Sequence, residues 1–238
     1  MIKAFFFDLD GTLLPIDEKV FVEQYFSLLV KKVSPLGYEP KRLMETIWKG
    51  TEAMYKNDGS KTNYQAFWDY FASIYGQEKL KDIPFFNEFY VTDFKKLKDF
   101  ISPNPYAKDI VKKARELTGK VVLATNPIFP LVATETRMGF VRLKPTDFDF
   151  VTAYENFSYS KPNPKYFAEL LKMFSLKPEE VIMFGNNPYE DGECALKVGI
   201  KTYLVGDYII QGTKATHEFK HIELSEVIKT MEEEVRTS

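Results

Sequence analysis

Residues 4–11 read Ala-Phe-Phe-Phe-Asp-Leu-Asp-Gly: four apolar residues that stop at two carboxylates and a turn. A short apolar run closed by a turn signal predicts a buried strand. If the chain stays extended there, period two sets Asp8 and Asp10 on one side and Leu9 on the other. Two carboxylates so placed repel, and each raises the other's pKa unless a cation compensates. Such a strand ends either in solvent or in a site.

The rest of the chain has two textures. Over 15–100 it is aromatic-rich and helical in period, and both tryptophans, Trp48 and Trp68, lie there. Phe21, Tyr25, Leu28 and Leu29 fall at i, i+4, i+7 and i+8, the spacing of an amphipathic helix. Pro40 suits the start of a second helix, with Leu43 and Ile47 on one side. Thr62 and Gln65 form a capping-box pattern ahead of Tyr64, Phe67, Phe71 and Ile74, and the loop 57–60 precedes it. A last helix is expected over 84–97. Beyond 102–105 (Ser-Pro-Asn-Pro), helices alternate with short apolar runs. Helices are expected over 107–117, 131–138, 164–174 and 191–198, and strands over 120–125, 148–153, 181–184 and 201–205. Alternation of this kind predicts a parallel sheet wound on both faces, which takes in the first strand as well. The expected fold is α/β: a doubly wound, Rossmann-like parallel-sheet core formed by 1–14 and 101–238, with an inserted helical cap domain over 15–100. The charged stretch 231–238 is expected to fray.

Composition narrows the function classes. With 32 Lys and Arg against 34 Asp and Glu in 238 residues, the net charge is −2. There is no broad electrostatic reason to expect nucleic acid or an anionic membrane as partner, so an anionic substrate must be held by a few placed groups. The one cysteine, Cys194, excludes an intrachain disulfide. No apolar stretch has the length of a membrane span. Asp8 and Asp10 interrupt the first apolar run too early for a signal-peptide core. A cytoplasmic location is expected, and the sequence carries no signal for the oligomeric state.

In open α/β sheets ligands bind at the carboxyl ends of the strands. The residues expected there are Asp8 and Asp10, then Thr125 and Asn126, then Gly185, Asn186 and Asn187 followed by Glu190 and Asp191, with Lys161 reaching the same edge through a loop. This set, Asp8-x-Asp10-Gly11-Thr12 after an apolar strand, then Thr125, Lys161-Pro162 and the glycine-polar segment with acids at 190 and 191, resembles the haloacid dehalogenase superfamily. The first motif is quite specific; each of the others is weak alone.

The resemblance implies a hydrolase of the phosphatase kind that acts on a small phosphorylated metabolite with Mg²⁺ as cofactor. It implies Asp8 as nucleophile through an aspartyl-phosphate. Asp10 is then the general acid and base, Thr125 and Asn126 bind the phosphoryl oxygens, and Lys161 offsets their charge. The implied metal ligands are Asp8, the Asp10 carbonyl, Asn186 and Asp191. Asp10 argues against a dehalogenase, which needs no acid at that position. Family members usually carry Gly-Asp where this chain has Gly185-Asn186, so a working but weaker metal site is expected. A phosphomutase using the same residues, and a non-catalytic binding module, stand as alternatives.

Several residues have blander readings. Asp8-x-Asp10-Gly11 alone could be ordinary turn chemistry, Thr125 a helix cap and Lys161 a surface lysine. Asn187 and Glu190 read as structural, and the aromatic residues of 15–100 as core. Trp48, Lys49, Asn57 and Asn63 are each candidates to face the site. His217 and His221 read as surface residues, since no Cys or acid pattern makes them a zinc site.

Overall fold

The computed structural model describes residues 1–211 and 219–238; His217 lies outside them. Its centre is β1 (Ala4–Phe7), whose four residues are all buried. β1 pairs in parallel with β2 (Val121–Leu123) on one side and β4 (Val181–Gly185) on the other. β3 (Phe150–Val151), β5 (Lys201–Val205) and β6 (Lys220–Ile222) complete a sheet in the order β3-β2-β1-β4-β5-β6, with every pairing parallel. Period two divides the apolar side chains between the faces. Phe5, Phe7, Leu123, Ile182 and Phe184 join one core cluster; Ala4, Phe6, Val122, Ala124 and Met183 join the other. Burying each of these phenylalanines contributes about 1.5–3 kcal/mol, so β1 alone anchors the fold strongly.

Four helices lie between β1 and the rest of the sheet: α1 (Glu18–Val33), α2 (Pro40–Tyr55), α3 (Asn63–Tyr75) and α4 (Ile83–Val91). α1 starts at Asp17, whose side chain accepts from Val20 N. α3 starts with the full Thr62–Gln65 capping box that its sequence spells. The helix expected over 84–97 is two elements. Thr92 Oγ1 donates to Glu88 O at 2.7 Å, competing for the carbonyl the next turn would use, and a 3₁₀ segment (Asp93–Phe100) follows. The two crossings meet where Ser102 N donates to Pro15 O at 3.1 Å. One apolar cluster runs without interruption from Phe21, Tyr25, Trp68 and Phe86 into Val121, Leu123 and Phe184.

The sheet's flanking helices are α5 (Ala107–Thr118), α6 (Leu131–Phe140), α7 (Lys165–Phe174), the short α8 (Cys194–Leu196) and α9 (Val227–Thr237). Two sequence expectations are corrected here. The helix expected over 191–198 starts earlier, as a π-helical turn over 188–193 in which Asp191 N and Gly192 N share the carbonyl of Asn187, and only α8 continues it. The end of the chain does not fray: Val227, Thr230 and Met231 form the buried side of α9, which packs on α5. Cys194 is buried in the second cluster, and burial pushes its thiol up to about 12. No helix among the described residues is long and apolar enough to cross a membrane.

Candidate active site

The carboxyl end of β1 delivers Asp8 beside the ends of β2 and β4, and Asp8 N donates to Phe184 O at 2.9 Å. Lys161 comes to it from the loop before α7. Its Nζ donates to Asp8 Oδ1 at 3.0 Å, to Asp191 Oδ1 at 2.5 Å and to the Ala124 carbonyl at 3.0 Å. Three donors meet three acceptors, which satisfies a fully buried ammonium. Burial opposes its charge, but Asp191 and Asp8 outweigh that and hold the lysine well above its usual range. Burial pushes the Asp8 carboxyl the other way, up to about 7, against the pull of Lys161 and with Asp191 and Asp10 adding to the rise.

Asp191 is the keystone of the β4 side. Its Oδ2 accepts from the backbone N–H groups of Asn186 and Asn187, both at 3.0 Å, while Oδ1 takes the lysine. Both oxygens are thus engaged within the protein. Gly185 permits this, since a Cβ there would lie 2.2 Å from Asp191 Oδ2. Asn187 caps the turn, its Oδ1 accepting from Tyr189 N and Glu190 N. Asn186 donates through Nδ2 to the Tyr208 carbonyl at 2.8 Å, which turns Oδ1 away from that carbonyl. Gly11 sits in the left-handed region at φ +75°, and a Cβ there would strike Asn186 Nδ2 at 2.0 Å.

Asp10 has a partner that the motif did not announce. Arg137, on α6 and only 1% exposed, forms an ion pair with Asp10 Oδ2. Its guanidinium also donates to Thr134 Oγ1 at 3.2 Å and lies over the Phe129 ring at 4.6 Å. Asp10 Oδ1 is buried with no hydrogen-bond partner among the described residues. A signal existed: Arg137 falls between Thr134 and Met138 on the buried stripe of α6, where an arginine needs a reason.

A cavity of about 220 Å³ opens onto this edge. Asp8, Asp10, Thr125, Asn126, Asn186 and Asp191 all line it. Lys161 does not; it is sealed behind Asp8 and Asp191. Asn126 braces the lysine's peptide, accepting from Lys161 N at 3.2 Å and donating to Lys161 O at 3.1 Å. It also donates to Glu190 Oε2 at 3.0 Å, and Tyr55 of α2 reaches Glu190 Oε1 at 3.3 Å. Burial, with Asp191 adding, pushes Glu190 up to about 7.

Of the four other candidates, Trp48 lines the cavity, while Lys49 is exposed and paired with Glu52. Asn63 is a buried clamp between α3 and the sheet loops, donating to Pro127 O at 3.0 Å and Ser160 Oγ at 2.9 Å, and Asn57 donates to it in turn. His221 bonds the Gly206 carbonyl at 2.8 Å, away from the cavity.

The donor chemistry of the edge fits a hard cation. Asp8, Asp10, Asp191 and Glu190 face two side-chain cations, Lys161 and Arg137, and Asp10 Oδ1 has no partner among the described residues. Among the described residues no three His, Cys, Asp or Glu side chains gather into a metal cluster. The set therefore leans on one carboxylate and neutral oxygens, as sites for Mg²⁺ that keep several waters do.

Comparison with known proteins agrees with this architecture. Residues 5–205 match the model of the haloacid dehalogenase-like hydrolases, and the chain belongs to that family. It is similar to a glyceraldehyde 3-phosphate phosphatase of Pyrococcus furiosus, with 37% identity over 93 residues, 39% of this chain and 36% of that protein. The match thus spans little more than a third of that relative's length. It is 27% identical over 217 residues to a protein of the same name from Pyrococcus abyssi, covering 85% of this chain and 80% of the relative. A crystal structure of a 2-haloacid dehalogenase from Pseudomonas syringae shares the fold, with a TM-score of 0.63 and 19% identity over 98% of this chain and 99% of that one.

Proposed function

We propose that this hydrolase is a phosphatase that cleaves a small phosphate monoester through an aspartyl-phosphate. The observation that carries the reading is the meeting of Asp8 and Asp10 at the inner end of one cavity, with Lys161 holding Asp8 from behind. Asp8 attacks phosphorus with the oxygen that Lys161 does not hold, and the leaving alkoxide takes a proton from Asp10. Asp10 then removes a proton from the water that hydrolyses the acyl phosphate, which restores Asp8. Lys161 and the Asp191 carboxylate behind it fix the nucleophile's angle, and the lysine's charge opposes the protonation that burial of Asp8 favours. Thr125 and Asn126 face the phosphoryl group. Asp8, the Asp10 carbonyl and Asn186 would hold Mg²⁺, which supplies charge neutralisation at the phosphoryl oxygens. Asp191, with both oxygens engaged, serves to hold Lys161 and the β4 turn. The helices of 15–100 form a cap over a core of 1–14 and 101–238, and the cap closes the cavity around the ester.

The test is phosphate release from phenyl phosphate, with and without Mg²⁺, by the native protein and by Asp8→Asn. Metal-dependent release that vanishes in the variant is the expected result. Release unaffected by Asp8→Asn would sink the nucleophile. Return of the phosphoryl group to a second hydroxyl of the same substrate, read by product analysis, would identify a mutase instead.

A further inference from the structure

The cavity is most polar at its inner end. Beyond the carboxylates its walls are aromatic, with Phe21, Trp48, Trp68, Phe86, Phe129 and Tyr154 among them. Four of the polar tips in these walls pair with one another. Tyr25 and Tyr90 share a hydroxyl-to-hydroxyl bond at 3.1 Å, and Trp68 Nε1 donates to the Tyr154 hydroxyl at 3.3 Å. Burial raises the phenols of Tyr25 and Tyr90, so they stay neutral. Among the described residues no lysine or arginine lines the cavity; Arg137 lies behind Phe129 and is spent on Asp10. Acidic side chains complete the lining, four at the sheet edge and Glu18 at the rim.

Such a chamber has nothing to offer a second anionic group, and acids that repel one. A hydroxylated carbon chain would set most of its hydroxyls against ring faces, with only a few phenol and indole tips to bond them. A flat or branched hydrocarbon meets aromatic surface on every side. The volume lies below the roughly 300–1,000 Å³ usual for small-molecule sites, which limits the organic part to about one ring.

We infer that the substrate is the phosphate monoester of a small apolar alcohol, about one ring in size and without a second anionic group. This rests on the phosphatase reading and narrows its substrate class away from sugar phosphates and phosphorylated acids.

The experiment compares benzyl phosphate with glyceraldehyde 3-phosphate and phosphoglycolate as substrates in Mg²⁺. It is paired with a titration of benzylphosphonate and phosphonoacetate followed by tryptophan emission. The chain's two tryptophans both line the chamber, so occupancy reads out directly. Benzyl phosphate should lead by about 10²-fold in kcat/KM, the discrimination an apolar pocket makes against an added hydroxyl. In Trp48→Ala, whose half-exposed ring can be removed with little risk to folding, the ratio of benzyl to methyl phosphate kcat/KM should fall at least tenfold. Turnover that favours either polar ester would overturn the substrate class and leave the phosphatase standing. If no ester is turned over, the phosphatase reading fails and the titration decides the chamber. Benzylphosphonate binding at least tenfold tighter than phosphonoacetate upholds its apolar preference; equal or reversed affinities overturn it.

Discussion

At the scale of single residues, the least symmetric feature is the ion pair between Asp10 and Arg137. The arginine is sealed in the core and the carboxylate is about one-third exposed, so the two partners differ in what their loss costs. Asp10→Ala leaves a buried guanidinium uncompensated and should destabilise towards the lower end of about 3–5 kcal/mol. Arg137→Met replaces the charge with apolar volume and should shift stability by under about 1 kcal/mol, while freeing Asp10 to drift and lowering kcat by up to about 10²-fold. Urea midpoints and turnover of the two variants test the contrast; equal destabilisation would refute it. The Gly11–Asn186 contact makes a second case. Gly11→Ala meets both the left-handed backbone and the Asn186 amide, and should cost about 1–2 kcal/mol or more, a fall in Tm of roughly 2–8 °C. Asn186→Asp turns a donor to the Tyr208 carbonyl into a second oxygen facing it. Without metal it should lose about 1–3 kcal/mol, yet gain a larger Mg²⁺-induced rise in Tm than the native chain. A rise no larger than native would end the view that Asn186 weakens the metal site.

At the scale of elements, the junction between α3 and the sheet loops rests on Asn63. Backbone bonds run from Asn63 N to Phe157 O and from Tyr64 N to Tyr154 O, and the Asn63 side chain spans to Pro127 and Ser160. Asn63→Ala should cost about 1–3 kcal/mol in urea unfolding by leaving buried acceptors unpaired; a neutral result would remove it from the clamp. The element order was legible where local rules act alone. The alternation of apolar runs and helical stretches gave the parallel sheet, and Thr62 with Gln65 marked the start of α3. What escaped depends on partners distant in sequence. The π-helical turn at 188–193 forms because Asp191 must reach back to two N–H groups and across to Lys161, and no local pattern encodes that. α9 was misjudged because its charges masked a stripe, Val227, Thr230 and Met231, that α5 covers. Among the strand-end residues, Asp8, Thr125 and Asn186 could be read from their place after apolar runs. Arg137 could not be tied to Asp10, since 127 positions separate them.

At the scale of the whole molecule, the inserted helices and the sheet share one apolar cluster, and Phe21 of α1 meets Phe129 of the loop before α6 with ring centroids 5.9 Å apart. Cooperativity should follow. Tryptophan emission, which reports only on 15–100, and far-UV circular dichroism, which reports on the entire chain, should trace a single coincident urea transition. Two separated midpoints would mean that the helices unfold on their own. The sheet's opposite face holds the chain's single thiol, Cys194, wholly buried and with its ionisation suppressed. While the structure is closed, this sulfur is hidden from alkylating reagents and kept in its unreactive protonated form. Its labelling rate is therefore a clock for how often that face opens, and the native sequence carries it without any added tag.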